Sequence, residues 1–257
     1  MDFLKLANFG VRSLVLYRPV SFVKAALIYL GIIQKPEKLC LWNGTKFYIR
    51  GKSDLYTLGE VYIRKVYGSR IRNGSVVIDL GAHIGIFSIW AAKSGDNVRV
   101  VSYEPSDENF EALSKNVSLN KLQEKISLHK AAVTSRKGRL DFFLSGNQTT
   151  NSIFRSKGTK KSIVDSVRLE DVFAQNRLNI CSLLKIDVEG AEYGIIRSSG
   201  KVLEKIGEIG IEYHNGYEEL KQILESHGFQ VSVMKSVSGY ESSYLYATRL
   251  AMKESSL

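Results

Sequence analysis

From Val76 onward, short apolar runs alternate with segments whose apolar residues recur every three to four positions. That alternation is the form expected of a parallel sheet with helices on both faces. The runs predict strands over residues 76–80, 98–103, 126–132, 182–186 and 208–213, with helices after the first, second, fourth and fifth. Phe229 to Met234 and Tyr244 to Arg249 have no helix between them, so the last strand is expected to run antiparallel. The third strand breaks the rhythm. Strand-like Leu140-Asp141-Phe142-Phe143 follows it, then a polar stretch from Ser145 to Ser162 rich in Asn, Thr, Ser and Lys.

Ahead of these strands, Leu4, Ala7, Val11, Leu14 and Val15, and after Pro19 Val23, Ala26, Leu27 and Leu30, predict two short helices. Leu39 to Trp42 and Thr45 to Ile49 flank Asn43-Gly44, a strong signal for a hairpin whose two central residues take positive φ. Asp54 to Ile71 reads as one helix with Leu55, Leu58, Val61, Tyr62 and Val66 on one side, ended by Asn73-Gly74. The expected organisation is an N-terminal extension of helices and a β-hairpin over residues 1–52, then one Rossmann-like α/β domain over 53–257. Its sheet is expected to be doubly wound and mostly parallel, with an antiparallel last strand.

Composition narrows the class. With 44% hydrophobic and 24% charged residues, disordered, collagen-like and coiled-coil chains are excluded. The net charge of +10 favours an anionic partner such as nucleic acid, a phospholipid surface or a phosphorylated substrate. Cys40 and Cys181 form no Cys-x-x-Cys, so neither a disulfide framework nor a thiolate metal site is supported, and a reducing cytoplasm fits. The apolar run from Ala25 to Ile33 is shorter than the ~20 residues a spanning helix needs. Before Pro36, Lys5, Arg12, Arg18, Lys24 and Lys35 stand against Asp2 alone. That suits peripheral contact with an anionic inner membrane face; the alternative is that the helices simply pack on the body of the protein or on another subunit.

Val77-Ile78-Asp79-Leu80-Gly81-Ala82-His83-Ile84-Gly85 is a buried strand running into a glycine turn and then a helix. Glycines there let the backbone approach a ligand closely. The spacing departs from the G-x-G-x-x-G of dinucleotide loops, which argues against pyrophosphate capture. An Asp two residues before the first glycine opposes an amine-bearing or cationic ligand, which suits the sulfonium and α-amino groups of S-adenosylmethionine. Glu104 ends the second strand, where a carboxylate accepts both ribose hydroxyls of a nucleoside.

These segments resemble the class I S-adenosylmethionine-dependent methyltransferases of the FkbM type, from about Ser53 to Phe229. The similarity rests on Ser53-Asp54, Glu60, the glycine loop, Tyr103-Glu104-Pro105, Asn109-Phe110, Ala131-Ala132-Val133, Val167-Arg168-Leu169-Glu170-Asp171 and Glu212-Tyr213-His214. The most discriminating segment is Leu184-Lys185-Ile186-Asp187-Val188-Glu189-Gly190-Ala191-Glu192. The resemblance implies methyl transfer, commonly to a hydroxyl of a sugar, lipid-linked saccharide or polyketide. It implies cofactor contacts at Asp79, Gly81, Ala82, His83, Gly85, Glu104 and Ala131, with His83 standing where the family more usually has Asn.

In a doubly wound sheet the ligand lies beyond the carboxyl ends of the strands, where Asp187, Glu189, Glu212 and His214 are expected to converge as catalytic candidates. His214, with an ordinary pKa of about 6.5, suits a general base oriented by a carboxylate. Other roles for these residues are a helix cap for Glu189, a solvated first turn for Glu192 and a structural hydrogen bond for His214. Asp187, Glu212 and His214 also form a hard-ligand cluster suited to a divalent ion, although no residue is assigned as a metal ligand. His129 and His227 read as structural. Asn147, Asn151 and Ser152 are expected to bind a polyhydroxylated acceptor. Two rivals remain. Arg155, Lys157, Lys160 and Lys161 point to a nucleic-acid methyltransferase, although Asp187-Val188-Glu189-Gly190 lacks the Pro-Pro turn of base N-methylation. The other is a non-catalytic membrane-surface protein that retains the ligand-binding fold.

Overall fold

The computed structural model describes residues 16–68, 70–144, 160–234 and 243–250. A seven-stranded sheet is built from β3 (Val76–Leu80), β4 (Arg99–Tyr103), β5 (Ile126–His129), β9 (Cys181–Ile186), β10 (Ile206–Tyr213), β11 (Phe229–Met234) and β12 (Ser243–Arg249). Its order is β11-β12-β10-β9-β3-β4-β5. Strands β3, β4, β5, β9 and β10 are parallel to their neighbours in this set, and β12 runs antiparallel to both β10 and β11. The mostly parallel sheet with an antiparallel last strand is the α/β architecture that the apolar rhythm predicts.

The strands are apolar at successive positions because both faces are covered. Val77, Val100 and Leu183 join one buried cluster with residues of α3 (Ile86–Lys93) and α4 (Asp107–Leu119). Their sequence neighbours Ile78, Val101 and Leu184 join the other, with residues of α5 (Leu169–Gln175), α6 (Glu192–Ser198) and α8 (Glu218–Ser226). A short α7 (Gly200–Leu203) follows α6. Among the described residues no helix is long and apolar enough to cross a membrane.

The segment preceding β3 packs on the α3 side. Helix α1 (Pro19–Tyr29) buries Ala25 and Ile28, while Val20 and Val23 face outward. β1 (Glu37–Cys40) and β2 (Lys46–Ile49) form the predicted hairpin. Its turn differs: Gly44 donates to the Leu41 carbonyl, and within it Gly44 has φ +81° while Asn43 is not at positive φ. The loop is thus a tight turn with glycine at the bulge position. Helix α2 (Lys52–Gly59) passes into a π-helical turn, Glu60–Arg64, and stops at Lys65 with φ +53°. The single helix expected to Ile71 is therefore seven residues too long. A left-handed residue satisfies the end of the helix and redirects the chain.

Two further elements escape the apolar rhythm. β6 (Ala132–Val133), β7 (Gly138–Leu144) and β8 (Lys160–Val167) form a separate three-stranded sheet, so the expected third strand ends at His129 and the polar stretch ends in a strand. Helix α5 then precedes β9, where no helix was expected.

Candidate active site

Strand alternation decides which side chains reach the ligand. Asp79 on β3 and Lys185 on β9 are register partners on adjacent strands, so both point to the α3 face. Asp79 is fully buried, accepts from Ser88 Oγ at 2.5 Å and lies 3.1 Å from Lys185 Nζ. The expected contact of Asp79 with the amine of a ligand has a competitor within the chain. Lys185, 3% exposed, also donates to the Gly81 carbonyl at 2.6 Å and lies 3.4 Å from Asp187 Oδ2. Burial lowers its basicity, but Asp79 and Asp187 outweigh that and push its pKa up to about 12.

The glycine loop is closed by its own chain. Gly81 and Ala82 N–H both donate to the Tyr103 carbonyl at 3.0 Å, and His83 N–H donates to Glu104 Oε2 at 2.8 Å. With these amides engaged, the loop does not present the row of free donors that a pyrophosphate site needs. Gly81 has φ +78°, and a Cβ there would stand 1.8 Å from the Asp187 carbonyl oxygen. Gly85 has φ +86°, and its Cβ would meet Leu113 at 2.5 Å, so this glycine answers to helix packing. His83 sits at φ +52°, a conformation that Asn also tolerates, which accounts physically for the exchange of those residues. Burial lowers the His83 pKa to about 4. The neutral ring therefore accepts from Arg50 Nη2 at 2.8 Å, with Asp54 Oδ1 3.3 Å away.

A cleft of about 830 Å³, mouth included, opens at the carboxyl ends of β3, β4 and β9. Gly81, Ala82, His83, Glu104 and Ala131 line it together with Tyr67, Lys185, Asp187 and Glu189. Asp79, Gly85, Glu212 and His214 are not among the lining residues. Glu104 is buried and accepts from Ser106 N–H at 2.9 Å, from Asn109 Nδ2 at 3.4 Å and from His83. Burial raises its pKa to about 6 against the pull of those donors.

Behind the cleft, Tyr67 Oη lies 3.1 Å from Asp187 Oδ2 and 3.0 Å from Glu212 Oε2. Burial, with the charges of Asp187 and Glu60, pushes the Glu212 pKa up to about 8. His214 sits between two carboxylates: Nδ1 is 2.6 Å from Glu192 Oε1, and Nε2 is 3.2 Å from Glu189 Oε2. Burial pulls its pKa down, but Glu189 and Glu192 outweigh it and lift it to about 11. Both nitrogens of His214 are engaged and its neighbours favour the protonated ring, an arrangement that speaks against the general-base role expected of it. Glu192 is fully buried against it and not on a solvated turn. Among the described residues no group of three or more His, Cys, Asp or Glu side chains is arranged to hold a metal.

Tyr67 and Lys185 were not singled out from the sequence. A lysine inside an otherwise apolar strand is a usable signal for Lys185; Tyr67 offers none, because it lies within the stretch from Asp54 to Ile71 that reads as one helix. Asn147, Asn151 and Ser152 lie outside the described residues.

The methyltransferase FkbM domain family matches residues 79–231. The 31-O-demethyl-FK506 methyltransferase FkbM of Streptomyces tacrolimicus is 26% identical over 234 residues, covering 76% of this chain and 89% of that protein. Methyltransferase sdnD of Sordaria araneosa is 25% identical over 214 residues, with 67% and 81% covered. Among solved structures, methyltransferase FkbM from Methylobacillus flagellatus KT superposes with a TM-score of 0.52 at 14% identity over 96% of this chain. The chain spans 58% of that structure's length.

Proposed function

The chain belongs to the FkbM methyltransferase domain family, and on that premise we propose that it transfers a methyl group from S-adenosylmethionine to a hydroxyl of an uncharged small molecule or saccharide. The observation that carries this reading is a single cleft lined by both Glu104 and Asp187.

The residues present fit the cofactor. A carboxylate has about four acceptor positions, and the three donors on Glu104 leave room for a ribose hydroxyl. Pro105, Ala131, Val133 and Phe142 offer an apolar wall to a purine, and the Gly81 to His83 turn would hold the amino-acid end. When bound, S-adenosylmethionine supplies an electrophilic methyl group on a positively charged sulfur.

An alcohol is a poor nucleophile until its proton is being removed. Asp187 takes that proton in this reading, because it lines the cleft and is not locked into an ion pair on both sides, as His214 is. Its protein contacts with Tyr67 and Lys185 converge on Oδ2, which leaves Oδ1 for the acceptor. Glu189 and Glu104 share the lining with Asp187, so a phosphate-bearing acceptor meets repulsion there. Those nearby acids outweigh the distant surplus of +10, which salt screens over about 8 Å. The O-methyl activity in the name of the Streptomyces tacrolimicus relative supports the same choice.

Calorimetry with S-adenosylmethionine and S-adenosylhomocysteine, followed by transfer of labelled methyl into fractionated glycans, small molecules and RNA, tests the reading. Label in the hydroxyl-bearing small-molecule or glycan fraction is expected. Absence of cofactor binding, or label confined to RNA, overturns it.

A further inference from the structure

Tyr67 reaches the reaction centre from outside the parallel strands. The π-helical turn ends at Lys65, and Gly210 on β10 lets the Tyr67 backbone lie against the sheet: a Cβ at Gly210 would stand 3.1 Å from Tyr67 Cα. Phe87 and Tyr244 then hold the ring edge-on, each with centroids 5.5 Å away. The hydroxyl faces Asp187 Oδ2 and Glu212 Oε2 at hydrogen-bond distance from both.

One phenol carries one proton, so it cannot donate to both acids. Were both ionised, one of the two short contacts would set oxygen against oxygen with no hydrogen between them. Both become hydrogen bonds only when one acid is protonated, donates to Tyr67 Oη, and leaves Tyr67 to donate to the other. The surroundings decide which acid that is. Asp187 has the Lys185 ammonium 3.4 Å away, which favours the charged form. The charge of Glu60 opposes that of Glu212, whose register partner Tyr244 donates to Glu60 Oε1 at 2.7 Å.

We propose that Tyr67 is a positioning residue that splits the protonation of the Asp187–Glu212 pair, keeping the proton on Glu212 and the negative charge on the cleft-facing Asp187. The purpose of the split rests on the reading of Asp187 as proton acceptor; the split itself rests on geometry. Two acids pushed apart by their environments are the arrangement that separates a charged base from a silent acid. The charged groups around Glu212 are Asp187 and Lys185 at the end of β9, Glu60 and its partner Arg64 on the π-helical turn, and His214 beyond β10. Asp187 and Glu60 oppose ionisation of Glu212; His214 favours it, as does Tyr67 in the alternative arrangement in which its proton points at Glu212, so a Glu212 midpoint that rises on loss of Tyr67 is the mark of that alternative. Tyr67 keeps its own proton throughout, because burial and the two acids raise its pKa well above the ordinary value.

The test is a pH titration by NMR of protein labelled with carbon-13 at the glutamate carboxyl carbons and, separately, at the tyrosine ring carbon bearing oxygen. In the wild type one glutamate should titrate near pH 8, and that signal should vanish in Glu212→Gln. In Tyr67→Phe, which keeps both ring contacts, the Glu212 midpoint should fall by about one pH unit, a tenfold loss of proton affinity, because the protonated acid has lost its acceptor. A midpoint that rises or stays put overturns the proposal. A second reading needs no variant: the Tyr67 ring carbon should step at the same pH as Glu212, and a flat Tyr67 response overturns the proposal. Binding of S-adenosylhomocysteine is measured on the same samples. Its absence refutes the cofactor reading and leaves the proton split to stand or fall on the titration.

Discussion

The two ends of the cleft are assembled by opposite rules. At the glycine loop, the amides of residues 81–83 and the Glu104 carboxylate find their partners within one strand-helix-strand unit, between Gly81 and Asn109. At the Asp187 end, Tyr67 meets acids 120 and 145 residues away, and like charges are crowded together with Lys185, Arg64 and His214 to offset them. The first end is a matched local scaffold. The second is an electrostatic balance that exists only once distant segments have docked, and its protonation states cannot be read from ordinary pKa values.

The substitution with the largest expected effect strikes where the two ends touch. Gly81→Ala drives a Cβ into the Asp187 carbonyl at a positive φ and should cost about 4 kcal/mol or more. Gly74→Ala, at φ +74° with open space around it, should cost only about 1 kcal/mol. Equal denaturant midpoints for the two variants would show that the ends are not coupled through this contact. Next, Lys185→Met leaves Asp79 without its buried cation and should destabilise by about 3–5 kcal/mol. A loss below about 1 kcal/mol in chemical denaturation would mean that water or another group already neutralises those acids.

A smaller effect separates binding from folding. Glu104→Ala should weaken S-adenosylmethionine binding by about 1.5–3 kcal/mol, which is roughly 10- to 100-fold. Unchanged calorimetric affinity would remove Glu104 from the cofactor end. The smallest effect depends on pH. The His83 pKa is lowered from 6.5 to about 4 in the folded state, so below pH 6.5 the unfolded chain binds a proton that the native one does not. His83 therefore contributes stability that is complete above about pH 6.5 and is lost progressively as pH falls towards 4. His83→Asn, which tolerates the same φ, should flatten part of this acid limb by about 1–2 kcal/mol at pH 5. Identical pH slopes in the two proteins would show that other groups set the limb.

Much of the scaffold is legible in sequence because its signals are local. An apolar run followed by a turn and an amphipathic segment places β3, β4, β9 and β10 within two residues of their observed bounds, and puts Glu104, Asp187 and Glu189 at the right ends of them. What stays hidden depends on partners far along the chain. Asp79 looks free in sequence because Lys185, its cation, lies on the neighbouring strand. His214 looks like a base until Glu189 and Glu192 are folded against both of its nitrogens. The left-handed Lys65 that ends the π-helical turn is equally silent, since lysine carries no preference for that conformation.

The sheet order has a consequence for how the chain is made. Among the described residues β12 is the latest strand in sequence, yet it lies between β10 and β11 and pairs with both. Until residues 243–249 have left the ribosome, β10 presents a bare apolar edge and β11 has no partner in the sheet. Unpaired edges of that kind recruit strands from neighbouring chains. Nascent chains of this protein thus pass through a sticky interval closed by a single late insertion, so truncation before Ser243 should yield aggregates from a ribosome that releases early, even though five parallel strands are already complete.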